Sequence, residues 1–149
     1  MPGTVKLHRV FKAPPDRLYR AFLDPDAMCK WVPPHGFIGK MHSMNATVGG
    51  SYKMSFTNFG TGKSHSFGGT YLELKANELI RYNDQFDDPT LPGQMMVTVS
   101  LKAVLCGTEL SIVQEGIPDM IPVEFCYLGW QESLNLLAHV VEPDIPDAP

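Results

Sequence analysis

The chain reads as an α+β protein: a curved antiparallel sheet wrapped around one long C-terminal helix, with two short helices after the first strand. Three observations predict this. Apolar and polar residues alternate along most of the stretch 37–114, the pattern of strands with one covered and one wet face. Over 121–141 the apolar residues fall instead at Val123, Cys126, Trp130, Leu134, Leu137 and Val141, steps of three and four that mark one stripe of an α-helix. Between an opening strand-like run and the sheet, prolines bracket two short segments of helical spacing.

Along the chain, Thr4 to Phe11 carries Val5, Leu7 and Phe11 at period two, interrupted by Arg9, and predicts the first strand. Arg9 either pairs with a buried carboxylate or lays its stem along the edge with its head in water. Ala13-Pro14-Pro15-Asp16 stops the strand and opens a helix, since proline in a first turn gives up an N–H that has no partner there anyway. Leu18, Tyr19, Phe22 and Leu23 form its apolar face before Asp24-Pro25 ends it. A second short helix spans Asp26 to Trp31 and stops at Pro33-Pro34. About six strands follow, giving six to seven in all. Tyr52, Met54 and Phe56 alternate with polar neighbours, as do Ile80, Tyr82 and Phe86, then Met95, Val97, Val99 and Leu101, then Leu110 and Ile112. Gly49-Gly50, Gly60-Thr61-Gly62, Gly68-Gly69, Asn77, Pro92-Gly93 and Cys106-Gly107 predict the hairpins or bulges between them. The final helix, Ile121 to Val141, is closed by Glu142-Pro143, and the acidic, proline-rich tail is expected to be disordered. At 149 residues the chain is expected to form one domain over 1–149, ordered from about 4 to 142.

Composition narrows the function. Twelve basic residues against sixteen acidic ones leave a net charge of −4, which disfavours nucleic acid, a ligand that wants a basic stripe. No run approaches the roughly eighteen apolar residues of a membrane span, and the opening segment lacks the apolar core of a signal peptide, so membrane insertion is not expected and a cytoplasmic location is. Cys29, Cys106 and Cys126 are odd in number and far apart. They fit free thiols packed as small hydrophobes, neither a disulfide framework nor a zinc site.

The apparent motifs carry little chemistry. Gly62-Lys63-Ser64 mimics the end of a phosphate-binding loop, but Thr57 stands where the first glycine belongs and a strand is predicted to follow. The five histidines show no metal-ligand spacing, and no serine sits in a nucleophile elbow. No cofactor is expected.

A curved sheet gripping one helix leaves room for an apolar cavity where the two diverge. Its expected lining is Trp31, Tyr52, Met54, Phe56, Tyr82, Asp84, Phe86, Met95, Val97, Gln114, Trp130 and Leu134. Trp31 is expected near the opening, Met120 is expected to add adaptable surface, and His65 is expected on a hairpin outside. Asp84 and Gln114 share the phase of their apolar neighbours. Either both point inward, to orient the polar end of a ligand or, for Asp84, to serve as a desolvated base, or a bulge or strand end turns them to water.

Several residues carry a family resemblance: Ala13-Pro14-Pro15 with Leu18 to Phe22 and Asp24-Pro25, Lys30-Trp31 followed by Pro33, Val48-Gly49-Gly50 with Tyr52, Gly69 to Glu73 with Leu79, and Gly129-Trp130 with Leu134 and Leu137. Together they resemble bacterial proteins related to the activator of heat shock protein 90 ATPase, within the START/SRPBCC superfamily, over roughly Val5 to Val141. The resemblance implies the helix-grip fold. For function it implies a binding protein for a small hydrophobic or amphipathic ligand, or a stress-related co-chaperone-type protein with a chaperone partner, or less directly a cyclase or hydrolase acting on an aromatic substrate. Fold does not choose among these; the pocket does.

Overall fold

The chain runs β1 (Gly3–Phe11), α1 (Pro15–Leu23), α2 (Pro25–Trp31), β2 (Phe37–Met44), β3 (Ser51–Asn58), β4 (Ser64–Lys75), β5 (Leu79–Phe86), β6 (Met95–Val104), β7 (Gly107–Ile117) and α3 (Val123–Val141) in a computed structural model that describes residues 3–148. The strands form one curved antiparallel sheet in the order β1-β7-β6-β5-β4-β3-β2. It is open, with β1 and β2 at its two edges. Because those strands are neighbours in sequence but opposite in the sheet, the segment between them must travel its full width, and α1 and α2 occupy that crossing.

Local chemistry sets the helix ends. Pro15 takes the first position of α1 without a side-chain cap. Asp24 closes α1 and caps α2, its carboxylate accepting from the N–H groups of Asp26 (2.9 Å) and Ala27 (3.1 Å), two donors that would otherwise lack partners. The last helix begins at Val123 rather than Ile121, since Pro118 to Pro122 makes a turn first, with the Ile121 N–H donating to the Pro118 carbonyl.

The expected alternation is present in the sheet. Met95, Val97, Val99 and Leu101 of β6 are buried, as are Thr108, Leu110, Ile112 and Gln114 of β7. The apolar side chains among these meet Val5, Leu7 and Phe11 of β1, Leu18 and Phe22 of α1, and Leu134, Leu137 and Val141 of α3 in the main core. A fully buried leucine contributes about 1.5–3 kcal/mol, so the C-terminal half of α3 is held firmly. A second cluster, Tyr52, Met54, Phe67 and Tyr71, lies on β3 and β4. The N-terminal half of α3 has only partly buried residues on its inner side, Val123, Cys126 and Trp130. The helix is therefore sealed at one end of the concave face and not at the other.

Arg9 pairs with two side-chain amides rather than with a carboxylate. Its guanidinium donates to Asn135 Oδ1 (2.7 Å) and Gln131 Oε1 (2.6 Å), two amides one turn apart, and so ties edge strand β1 to α3. Gly68 and Gly69 make neither hairpin nor bulge: both lie within β4, backbone against backbone. A Cβ on Gly69 would sit 1.8 Å from the Asn83 carbonyl oxygen. Asn77, at φ 65°, does make the β4–β5 turn, as a residue tolerant of the left-handed region should. Gly62-Lys63-Ser64 leads from a turn straight into β4, so no helix N-terminus stands behind Lys63. All three cysteines are free, but Cys106 is exposed rather than packed. The tight Leu105-Cys106 turn projects both side chains outward.

Candidate ligand-binding site

Where α3 parts from the sheet there is a cavity of about 190 Å³, roofed by α2 and α3 and floored by β3 to β7. Strand pairing explains which residues reach it. Residues directly opposed on adjacent strands share a face, and Met54, Phe67 and Phe86 form one such row across β3, β4 and β5. A second row runs Tyr71, Tyr82, Val97, Gln114 and Val5 across β4, β5, β6, β7 and β1. Both rows face the helix.

Ten of the twelve expected residues surround the cavity: Trp31, Tyr52, Met54, Phe56, Tyr82, Asp84, Phe86, Met95, Gln114 and Trp130. Val97 and Leu134 do not. At 0% and 1% exposure they lie in the closed core, because α3 covers the middle of β6 before the helix and sheet diverge. Trp31 is no doorway residue either. It is 1% exposed, donates from Nε1 to the Ala21 carbonyl (2.9 Å) and packs edge-on against Phe22. Met120 stands apart from the cavity at 72% exposure. His65, expected outside, sits on β4 and lines the cavity, its ring near those of Phe56, Phe67 and Phe86. Partial burial lowers its pKa and favours the neutral ring.

Asp84 and Gln114 both point inward, so neither a bulge nor a strand end turns them to water. Gln114 accepts from Trp130 Nε1 (2.8 Å) and points its amide nitrogen at Met95 Sδ (3.4 Å), fastening α3 to the sheet. Asp84 accepts from the Tyr52 hydroxyl at 2.9 Å. Burial raises its pKa to about 7, against the lowering effect of the Tyr52 hydroxyl and the Gln85 backbone N–H. Asp84 and Tyr82 are both partly buried and both line the cavity. Burial also pushes the phenols of Tyr52, Tyr71 and Tyr82 up, so all three stay neutral. The rings of Tyr52, Tyr71 and Tyr82 lie 5.8–6.1 Å apart, centre to centre, and the Tyr71 hydroxyl is buried with no hydrogen-bond partner among the described residues. Such an orphan costs free energy until something pairs with it.

Other residues at the cavity were not anticipated. Phe67 and Tyr71 carry a legible signal, since they alternate in phase with Gly69 along β4. Phe22, Met28, Val32 and Pro34 come from the α1–α2 crossing, and Cys126, Gly129 and Ser133 from α3; their approach depends on how the helices dock. Ser133 shows how: its hydroxyl donates to the Val32 carbonyl at 2.6 Å, pinning α3 to the end of α2. Among the described residues, no three His, Cys, Asp or Glu side chains converge so as to hold a metal ion.

The model of the family described as activator of Hsp90 ATPase homolog 1-like protein matches residues 12–142. The chain belongs to that family. A crystal structure of a protein from Chromobacterium violaceum is 60% identical, with a TM-score of 0.95 over 97% of this chain and all of that one. More distant structures from Rhodobacter sphaeroides (19% identity, TM-score 0.79, 93% of this chain and 95% of that one) and Rhizobium leguminosarum (20%, 0.81, 97% of each) share the fold. None of the curated proteins matches this member of the activator-like family. No helix among its described residues is long and apolar enough to cross a membrane.

Proposed function

We propose that the chain is a binding domain for a small hydrophobic or amphipathic molecule, held in the cytoplasm in the cavity between β3–β7 and the N-terminal half of α3. One observation carries the reading: a mostly apolar cavity, rich in aromatic rings, lined also by a few polar groups, chiefly Asp84, Tyr52 and Tyr82. Binding sites for small molecules have that character, apolar walls for affinity and sparse polar groups for orientation. Aromatic walls add contact area with few rotors to freeze, and Met28, Met54 and Met95 add adaptable surface.

Native mass spectrometry of protein purified from its own host tests this. A bound molecule adds a discrete mass that is lost on denaturation, and Tyr82→Ala abolishes the added mass. Protein that arrives bare, and that also fails to bind an environment-sensitive apolar dye, would favour a core merely filled by its own side chains.

A second reading draws on a separate observation. Met120, in the turn before α3, and Phe125 and Leu128, in its first turns, are 72%, 69% and 57% exposed, more apolar surface than one helix end needs. A co-chaperone-type role would use that end against a chaperone ATPase, and the family's description points the same way. Stimulation of the ATPase rate of an Hsp90-type chaperone, lost in the Phe125→Ala, Leu128→Ala double variant, would establish it. An unchanged rate would remove it.

A further inference from the structure

We propose that the cavity selects a ligand whose polar end is a protonated amine, paired with Asp84 among Tyr52, Tyr71 and Tyr82. The proposal rests on the binding reading above and adds to it the charge and size of the ligand.

The charge follows from what faces Asp84. Among the described residues, no lysine or arginine lines the cavity. The titratable groups there are Tyr52 from β3, Tyr71 and His65 from β4, Tyr82 beside Asp84 on β5, and Cys126 from α3. β6, β7, α1 and α2 add only uncharged side chains. Burial keeps the three phenols and the Cys126 thiol protonated, and it favours the uncharged His65 ring. Asp84 is thus the group that brings charge to the cavity, and that charge is negative and without a counter-ion. A carboxylate ligand would place a second anion beside it, or bind only while Asp84 holds its proton, and burying unpaired charge is costly. An ammonium supplies the missing partner through a charge-assisted hydrogen bond, and tyrosine faces attract cations.

Hydrogen-bond capacity agrees. An ammonium has three donors. Asp84, a carboxylate with about four acceptor positions, has some left beyond those taken by Tyr52 and the Gln85 N–H. The Tyr71 hydroxyl makes no hydrogen bond among the described residues, and Tyr82 also lines the cavity. Size sets the rest of the molecule. An engineered cavity of about 150 Å³ holds benzene, so about 190 Å³ accommodates one ring with a short chain. An arylalkylamine of about ten heavy atoms fits.

Calorimetric titration with 2-phenylethylamine, 2-phenylethanol and phenylacetate separates the possibilities, because the three share a ring and a similar length. At about pH 8, where Asp84 is ionised and the amine is still protonated, the amine is expected to bind about tenfold more tightly than the alcohol, and phenylacetate more weakly than either. The amine should weaken severalfold as the pH falls to about 6 and Asp84 takes up its proton, while the alcohol stays constant. Asp84→Asn should erase the amine's advantage, bringing amine and alcohol within about twofold of each other. The pH series on the unaltered protein tests the same point should that variant fold poorly. Equal binding of amine and alcohol overturns the charge selection while leaving the cavity as a binding site. Preference for phenylacetate overturns it as well, and failure of all three to bind overturns both the selection and the cavity reading.

Discussion

The Tyr52 hydroxyl on β3 reaches across β4 to donate to Asp84 on β5 at 2.9 Å. The strand between them passes beneath at Gly69, which has no side chain to stand in the way and is paired directly with Tyr52. A polar contact therefore spans three strands on the concave face, and the carboxylate it holds sits in an apolar cavity.

That carboxylate makes stability depend on pH. Its ordinary pKa of 3.8 rises to about 7 in the fold, so the folded protein binds the proton more tightly than the unfolded chain. The resulting stabilisation is fully present below about pH 4 and is lost as the pH climbs through 7. Asp84→Asn has no such titration and can still accept from Tyr52. Urea unfolding of both proteins between about pH 5 and pH 8 is expected to show the variant gaining on the unaltered protein by on the order of 2–4 kcal/mol. Parallel stability curves would mean that Asp84 is hydrated.

Gly69 is the point at which β4 tolerates no side chain. A methyl group there would meet the Asn83 carbonyl oxygen at 1.8 Å, and both partners are backbone, so relief requires moving a strand. Gly69→Ala is expected to cost at least about 2 kcal/mol and to displace Tyr52 from Asp84, removing one of the contacts that lower the pKa of that carboxyl. A thermal midpoint within experimental error of the parent would contradict the close approach.

Leu134 lies in the closed part of the core at 1% exposure. Leu134→Ala should lose about 2–5 kcal/mol in denaturant unfolding, as buried large-to-small changes do. A loss under about half a kcal/mol would show that α3 is not packed where its stripe indicates.

Most of the fold was legible because two periodicities divide the chain cleanly, and the junctions carry Pro15, Asp24-Pro25 and Pro143, whose backbone restrictions leave few alternatives. Gly68-Gly69 misled because a glycine pair signals a turn as readily as a crowded strand, and the difference lies in how near Asn83 comes. The site was legible where strand phase decided it, as for Tyr82, Asp84 and Phe86. It was not legible where depth decided it. Val97 has the same phase as Met95, yet one is sealed under α3 and the other meets the cavity. That boundary is fixed by Trp130, Gln114 and Ser133, contacts that join residues 16 and 101 positions apart, and no local pattern encodes them.

Gly129 offers a way to alter the cavity without disturbing the core. It lines the cavity from within α3, and a Cβ there would meet nothing within 4 Å. Replacing a helical glycine by alanine gains up to about 1 kcal/mol, while the added methyl takes ligand volume. Gly129→Ala is therefore expected to raise the melting temperature and to weaken ligand binding. Tighter binding, or a lower melting temperature, would place Gly129 in some other environment.

The three thiols report on occupancy directly. Cys106 is exposed, whereas Cys29 and Cys126 are both partly buried and burial raises the pKa of each. Thiolate is the reactive form, so a maleimide should label Cys106 first and the other two slowly. Only Cys126 lines the cavity, and Cys29 packs behind it against the β3–β4 cluster. A ligand at about ten times its Kd leaves roughly one protein molecule in ten vacant, and should slow Cys126 about tenfold. Cys29 and Cys106 should keep their rates, which separates occupancy from a general tightening of the fold. Site-resolved mass spectrometry of a labelling time course follows all three together. Equal slowing of Cys29 and Cys126 would show that the ligand stabilises the protein from elsewhere, and an unaffected Cys126 would place it outside the cavity.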